Sequence, residues 1–143
     1  MTNIPTIQQC YMNLESIKQI INGVEYWSAR QLRPIVGYIE WRKFEGVIEK
    51  AKLTCAANNH IVFEHFNDSY KVVNSSKNSH REIEDYLLTR YAVYLIVMHG
   101  SVHKPTICQF QNMFTNNSTI VYDGSERLFS LCSNEELFNQ LKP

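Results

Sequence analysis

The segment from Ile39 to Ala57 is the feature that most constrains the fold. Its apolar side chains recur at steps of three and four residues, which is the spacing of one helical face. Charged side chains occupy most of the remaining surface, and Gly46 inside the segment costs about 1 kcal/mol relative to alanine. The pattern therefore predicts an amphipathic helix whose apolar stripe faces a core. The stripe consists of Trp41, Phe44, Val47, Ile48, Ala51 and Cys55.

A shorter helix is predicted immediately before this one. Ser28 and Gln31 have the spacing of a capping box, and Gly37 is placed to end a helix of about Ala29–Val36. The preceding residues, Val24–Trp27, are predicted to be extended. A capped short helix, a glycine and a longer helix resemble the start of a helix-turn-helix arrangement.

Periodicity and turn residues predict the elements on either side. A first helix is expected over Asn13–Asn22, ended by Gly23. A hairpin is expected within His60–Val73, with its turn at Asn67-Asp68-Ser69. The polar residues Asn74–Ser79 are predicted to form a mobile loop.

Arg81–Met98 is the most apolar helix candidate, and Gly100 would end it. Glu82, Glu84 and Asp85 stand at its start, where a helix dipole favours acidic side chains. The run Tyr91–Met98 also fits a strand, but the capped and terminated unit favours a buried central helix.

The last predicted elements begin at Pro105, which suits the first position of a helix. Its apolar face would comprise Ile107, Phe110, Met113 and Phe114. Beyond Asn116-Asn117-Ser118, the sequence predicts a hairpin over Thr119–Leu131 with Asp123-Gly124 in the turn, and a helix capped from Ser133. We therefore expect one α+β domain over residues 1–143. It is mostly helical, with a helix-turn-helix-like front half, a small β-hairpin wing and a C-terminal hairpin plus helix.

The charge of the chain is balanced overall but unevenly distributed. Fourteen basic residues match fourteen acidic ones, which does not favour a nucleic-acid binder as a whole. Residues 28–52, however, hold six basic side chains against Glu40, Glu45 and Glu49. Among the last 38 residues, four charged side chains are acidic and two are basic. The six basic residues of the front half are Arg30, Arg33, Arg42, Lys43, Lys50 and Lys52.

These six side chains are the candidate DNA-binding residues, because exposed cations on helices neutralise phosphates. The alternative is a solvated face with internal ion pairs, of which Arg42–Glu45 and Glu49–Lys52 have helical spacing. Arg30 and Arg33 could instead pair with Glu25 or Glu40.

Two further groups of side chains have a structural interpretation that is favoured over a functional one. Arg90 lies in a very apolar stretch, so an ion pair with a carboxylate from another element is favoured over a DNA contact. The aromatic side chains of the front half could stack on bases, but core packing is the stronger expectation. These aromatic residues are Trp27, Tyr38, Trp41 and Phe44.

Catalytic and metal-binding patterns are lacking in the sequence. His99 and His103 are four apart but separated by Gly100, and no further ligand completes a metal set. No nucleophile stands beside a recognisable base, and the glycines form no phosphate loop. We therefore expect no enzyme activity, no metal and no cofactor.

The cellular compartment is predicted from what the sequence lacks. The first residues do not have a signal-peptide pattern, and no apolar run is long enough to cross a membrane. The four cysteines lie far apart without a C-x-x-C pair, which favours reduced thiols. A cytoplasmic protein is expected.

Two blocks of sequence resemble the DNA-damage-inducible protein D family, which itself looks related to phage antirepressors with BRO-type N-terminal domains. The first block is Glu25-Tyr-Trp-Ser-Ala-Arg-Gln-Leu32, then Gly37-Tyr38, Trp41, Phe44 and Val47-Ile-Glu-Lys-Ala51. The second is Arg81-Glu-Ile-Glu-Asp-Tyr-Leu-Leu-Thr-Arg-Tyr-Ala92, then Tyr94-Leu-Ile96, Gly100, Lys104-Pro105, Gln111 and Phe114. The resemblance covers roughly residues 10–115, whereas residues 116–143 diverge.

The resemblance implies a non-catalytic protein of the DNA-damage (SOS) response. It would act on recombination intermediates by binding DNA, single- or double-stranded, or a recombinase–DNA filament. Two departures qualify it. His99-Gly100-Ser101 replaces an Asn-Gly-Asp step that is typical of the family, and family members usually continue well beyond this length.

Two other interpretations remain open. The neutral charge and acidic tail favour an antirepressor-type module that binds a phage or host repressor, or a recombinase, without contacting DNA. A remnant of a prophage or plasmid protein would account for the shortened C-terminal half.

Overall fold

The computed structural model describes residues 4–76 and 79–115. Six helices and four strands follow one another along these residues, and the strands form one antiparallel sheet in the order β1-β2-β4-β3. The predicted α+β class is confirmed. The elements are α1 (Ile7–Ile17), β1 (Gln19–Ile21), β2 (Val24–Ser28), α2 (Ala29–Ile35), α3 (Trp41–Ala57), α4 (Val62–His65), β3 (Phe66–Ser76), β4 (Ser79–Leu88), α5 (Arg90–His99) and α6 (Pro105–Thr115).

The three helices with the clearest start and stop signals form as predicted. The Ser28 hydroxyl accepts the backbone N–H of Gln31 at 3.3 Å and caps α2, and Gly37 follows α2 with φ +93°. Pro105 opens α6, whose four apolar side chains are buried. Along α3 the predicted stripe is buried except at its first residue, Trp41, which is half-buried.

The predicted first helix is wrong in its bounds. It starts earlier, because Thr6 and Gln9 form a capping box, and it stops at Ile17. The following isoleucines lie in β1 instead. Asn22 and Gly23 adopt positive φ values of 50° and 80°, the conformation of a tight hairpin turn, and Ile21 consequently pairs with Val24.

The predicted hairpin is displaced along the chain. Asn67-Asp68-Ser69 is not a turn but part of β3, and its residues pair with Leu87, Tyr86 and Asp85 of β4. Within the predicted polar loop, Asn74 belongs to β3 and Ser79 begins β4. The hairpin wing therefore exists, but it is longer than predicted and its second strand comes from residues expected to be helical.

The predicted central helix is correspondingly too long. Its first eight residues, 81–88, belong to strand β4, because they pair with β3 along their length. Helix α5 begins after Thr89, whose hydroxyl accepts the N–H of Ala92 at 3.3 Å, and it ends at Gly100 as predicted. Every residue from Tyr91 to Val97 is buried, so this part of the predicted helix is central.

The core is built from buried side chains of α1, α2, α3, α5 and α6, together with residues of β2, β3 and β4. Its largest fully buried side chains include Trp27, Phe44 and Tyr91. The indole N–H of Trp27 donates to the carbonyl of Leu14 at 2.9 Å, which ties α1 to β2. Since Trp27, Tyr38 and Phe44 are all buried, the prediction that these aromatic residues belong to the core is confirmed.

The described cysteines are free thiols. Cys10 and Cys55 are buried and Cys108 is exposed, and burial raises the pKa of Cys10 to about 11. Across residues 4–76 and 79–115, no helix has both the length and the apolar character that a bilayer crossing requires. Cys132, the predicted C-terminal hairpin over Thr119–Leu131 and the helix from Ser133 lie outside the described residues.

Candidate nucleic-acid interface

Arg30, the first of the six candidate residues, is bound within the fold. Its Nε donates to the carbonyl of Glu84 at 2.7 Å, and its guanidinium lies 3.8 Å from the centroid of the Trp41 ring. The first contact reaches β4 and the second reaches the start of α3. Arg30 therefore joins three elements, and a cation–π contact of this kind stabilises by about 0.5–2 kcal/mol.

Arg33 serves the turn between α2 and α3. One of its terminal nitrogens, Nη1, donates to the carbonyls of Tyr38 at 2.7 Å and Ile39 at 2.6 Å. These carbonyls would otherwise need water. The alternative ion pairs of Arg30 or Arg33 with Glu25 or Glu40 do not form.

Lys52 also has internal partners. Its amine lies 3.1 Å from Glu49 Oε2, 3.1 Å from the Tyr86 hydroxyl and 4.4 Å from the Tyr86 ring centroid. Burial lowers the pKa of Lys52, but the bonds to Tyr86 and Glu49 outweigh it, so the pKa is raised. The predicted Glu49–Lys52 pair is confirmed, and it places Lys52 on the flank of α3 that contacts the sheet.

The other three candidates are exposed on α3 and define what we call the α3 basic flank: Arg42, Lys43 and Lys50. Lys43 and Lys50 are seven residues apart, close to two helical turns, so they lie on the same side of the helix. Lys43 is 3.6 Å from Glu40, with side chains 72% and 63% exposed. The predicted Arg42–Glu45 pair is not among the ion pairs of the described residues.

The C-terminal end of the α3 basic flank adjoins the end of α5. There His99 Nε2 lies 2.6 Å from the Thr54 hydroxyl. Partial burial, together with the positive charge of Lys50, lowers the pKa of His99. A neutral His99 adds no positive charge to the flank.

Asp85 is the residue that sequence reasoning missed. The residue is 6% exposed, and its carboxylate accepts three hydrogen bonds. Ser28 Oγ donates to Oδ2 at 2.5 Å, while Oδ1 accepts the backbone N–H groups of Arg30 at 2.9 Å and Tyr86 at 2.8 Å. Asp85 does lie at a helix N-terminus, as predicted for an acidic residue, but the helix is α2 rather than α5. Sequence spacing carries no signal for this contact.

Arg90 forms the predicted structural ion pair. Its Nη2 lies 2.6 Å from Glu25 Oε1 on β2, with side chains 21% and 24% exposed. The preference for an ion pair with a carboxylate from another element is confirmed.

A separate cluster of two histidines and a tyrosine lies where α4 meets α5. The ring centroids of His60 and His65 are 5.4 Å apart, and both rings contact Tyr91. His65 Nδ1 lies 2.6 Å from the Thr89 hydroxyl. Burial, with a smaller contribution from His60, lowers the pKa of His65.

No three metal-ligating side chains converge anywhere in the part of the chain that the structure describes. The expected lack of a metal site and of catalysis stays a prediction. The arrangement can do one thing chemically: it presents three cations on one exposed helical flank, which an extended polyanion could contact.

The fold and this flank define an α+β protein with a helix–turn–helix-like pair, a long β-hairpin and a small basic surface. Sequence comparison narrows that class. The chain is 42% identical over 101 residues to DNA damage-inducible protein D of Escherichia coli (strain K12). The chain belongs to the DNA damage-inducible protein D family.

The match covers 70% of this chain but 37% of the E. coli protein, so the chain spans little more than a third of that relative. No family model matches the chain, and no solved structure matches it.

Proposed function

We propose that this protein acts in the DNA-damage response as a non-catalytic DNA-associated regulator, and that the α3 basic flank contacts the phosphate backbone. Family membership supports the first part. The observation that carries the second is the exposure of Arg42, Lys43 and Lys50 on one helix, while Arg30, Arg33 and Lys52 are held by internal partners. The finer role is regulation of SOS-associated recombination on DNA or on a recombinase–DNA filament.

Electrostatics sets the scale of this interaction. Each neutralised phosphate releases condensed counterions, so three contacts give a slope of about −3 in log K against log salt on duplex DNA. Glu40 and Glu49 border the flank and reduce its potential. We therefore expect weak binding that depends on salt and little on sequence, with single or double strands distinguished only by measurement.

Fluorescence anisotropy of labelled single- and double-stranded DNA across a salt series tests this proposal. The double variant Lys43→Glu/Lys50→Glu should bind DNA more weakly, and the magnitude of its salt slope should fall to about 1 or below. The matched control is Lys71→Glu/Arg81→Glu, which changes the net charge equally at exposed positions of the β-hairpin. Equal losses in both double variants, or none in either, would argue against a specific role of the flank.

A specific observation supports a second candidate function, an antirepressor-type protein-interaction module. Leu53 is 72% exposed. It lies eleven residues, or about three helical turns, after Arg42, so it is on the same side of α3 as the basic flank. An apolar side chain among the cations suits a protein surface better than a phosphate backbone. If the protein binds no DNA at low salt, a pull-down against purified recombinase and purified repressor becomes the deciding experiment.

A further inference from the structure

Among residues 4–76 and 79–115, no strand pairs with the outer edge of β3. In the sheet order β1-β2-β4-β3 it is the outermost strand, it spans 11 residues, and β4 is the neighbour with which it pairs. The opposite edge of the sheet is β1, which has 3 residues. Long edge strands are templates for pairing with another chain, which natural proteins usually block with proline, charge or bulges.

The hydrogen bond at the base of the hairpin defines which backbone groups of β3 face this edge. Thr89 N–H donates to His65 O at 3.1 Å, so His65 and Thr89 form a hydrogen-bonded pair at the base of the hairpin. Hydrogen-bonded and non-hydrogen-bonded pairs alternate in an antiparallel ladder. Asp68, Tyr70 and Val72 therefore belong to non-hydrogen-bonded pairs, and their backbone N–H and C=O groups point away from β4.

The edge of β4 that faces away from β3 shows the same alternation of hydrogen-bonded and outward-facing residues. The outward groups of β4 have partners: the Glu84 carbonyl accepts Arg30, the Tyr86 N–H donates to Asp85, and Leu88 pairs with Trp27 of β2. By comparison, no other element among residues 4–76 and 79–115 bonds the outward backbone of Asp68, Tyr70 or Val72. From Glu84 to Leu88, the outward side of β4 is therefore covered, whereas the facing stretch of β3 has no such partner among the described residues.

The usual protective devices are sparse on β3. The strand contains no proline, its irregularity lies near its end between Asn74 and Ser76, and Lys71 is its one cation. Tyr70 and Val72 are 65% and 60% exposed. A regular edge that exposes two large apolar side chains beside unpaired backbone groups is expected to pair with a matching strand.

We propose that β3 pairs with β3 of a second copy of this chain, antiparallel about a two-fold axis, to make one continuous eight-stranded sheet. A two-fold arrangement satisfies both free edges with the same contacts. With Tyr70 opposite Tyr70 of the partner subunit, Asp68 faces the partner's Val72 and Lys71 faces the partner's Ser69. No like charges stand directly opposite each other, whereas a shift that centres the pair on Lys71 would oppose two lysines.

The acidic side chains of β4 do not oppose this arrangement. Glu84 pairs with Tyr70 across the hairpin. In the dimer, two β3 strands therefore lie between Glu84 and the partner's Glu84. At a strand spacing of about 4.8 Å, the two Glu84 positions are roughly 14 Å apart, beyond the screening length at physiological salt. The self-pairing is independent of the proposed DNA contact.

The phase of the ladder supplies a sharp test. In Tyr70→Pro the lost N–H is one that faces outward, so the β3–β4 hairpin keeps its ladder while the second copy loses a donor and meets the ring. Ile20→Pro on β1 is the matched control at the opposite edge. Val72→Lys is the second test variant, because it places a charge at one of the two exposed apolar positions of β3 without removing any backbone group.

Sedimentation velocity of the 143-residue protein, from about 1 to about 200 µM, covers the range in which a small interface dissociates. We expect the wild type and Ile20→Pro to dimerise, and Tyr70→Pro and Val72→Lys to weaken dimerisation at least about tenfold with circular dichroism unchanged. A wild type that stays monomeric throughout overturns the proposal. Dimerisation that persists in both Tyr70→Pro and Val72→Lys overturns it as well, since the contact then lies elsewhere.

Discussion

The Asp85 carboxylate on β4 accepts a 2.5 Å hydrogen bond from the Ser28 hydroxyl, although 57 residues separate the two. Ser28 is the N-cap of α2, and the other Asp85 oxygen accepts the N–H of Arg30 in the first turn of that helix. The strand thus completes the cap of the helix. This contact sets where α2 starts relative to the sheet, and through Arg30 and Trp41 it also positions the start of α3.

Replacing Asp85 should destabilise the fold. Asp85→Ala leaves the Ser28 hydroxyl and two backbone N–H groups without an acceptor, and we expect a loss of about 2–4 kcal/mol in the free energy of unfolding. Asp85→Asn keeps one carbonyl oxygen and should lose roughly half as much. Urea unfolding measures both values, and Ser28→Ala/Asp85→Ala should cost less than the sum of the single changes. Additive losses would mean that the two residues act separately.

Stability should fall with acid because two histidines are held neutral. The pKa values of His65 and His99 are lowered, in each case mainly by burial. The unfolded chain therefore binds more protons below about pH 6.5, so their contribution is complete above that pH and is lost as the pH falls toward the folded pKa values.

Unfolding free energies measured between about pH 7.5 and about pH 5.5 check this sign, since the range extends about one unit on either side of an ordinary histidine pKa. The double variant His65→Gln/His99→Gln should show a flatter dependence on pH. His103→Gln, at an exposed position, should keep the wild-type dependence. A wild-type stability that rises as the pH falls over this range would contradict the prediction.

The half-buried ion pair Glu25–Arg90 should contribute more to the free energy of unfolding than the exposed pair Glu40–Lys43. Glu25 and Arg90 are 21–24% exposed, so Glu25→Gln leaves a largely buried guanidinium short of its carboxylate and should cost about 1–3 kcal/mol after allowance for solvent. Lys43→Ala breaks a highly exposed pair with Glu40 and should change stability by less than about 0.5 kcal/mol. Thermal and urea unfolding of the two variants compare them directly.

Two glycines should respond oppositely to alanine. A Cβ at Gly46 meets nothing within 4 Å in the interior of α3, so Gly46→Ala should stabilise by about 0.5–1 kcal/mol. A Cβ at Gly100 would lie 2.6 Å from Ile107 Cδ1 in the core, and Gly100→Ala should destabilise by about 1–3 kcal/mol. Adding Ile107→Val to Gly100→Ala removes the closest atom and should recover part of the loss.

Local signals in the sequence account for the helices that were predicted correctly. Ser28 and Gly37 bound α2, Pro105 begins α6, and the stripe of α3 has a period that fits one helical face. Each of these signals acts within a turn or two of the backbone, so it works before any tertiary contact exists. The family resemblance rests on the same linear information, and the comparison with the E. coli protein confirmed it.

For residues 81–88, local sequence signals predicted the wrong secondary structure. Acidic side chains followed by an apolar run predicted a helix start, yet the segment became β4, because its hydrogen bonds go to β3 rather than to its own backbone. Ladder energy depends on a partner strand that is distant in sequence, and no local periodicity reports it. The turn at Asn67-Asp68-Ser69 was predicted wrongly for the same reason.

The candidate site divides in the same way. The linear sequence is enough to show that the front half carries six basic side chains on two predicted helices. Tertiary contacts then separate them: Arg30, Arg33 and Lys52 bind carbonyls, aromatic rings and a carboxylate. The others, Arg42, Lys43 and Lys50, face solvent. Charge is a property of a residue, whereas its availability to a partner depends on what the fold packs against it.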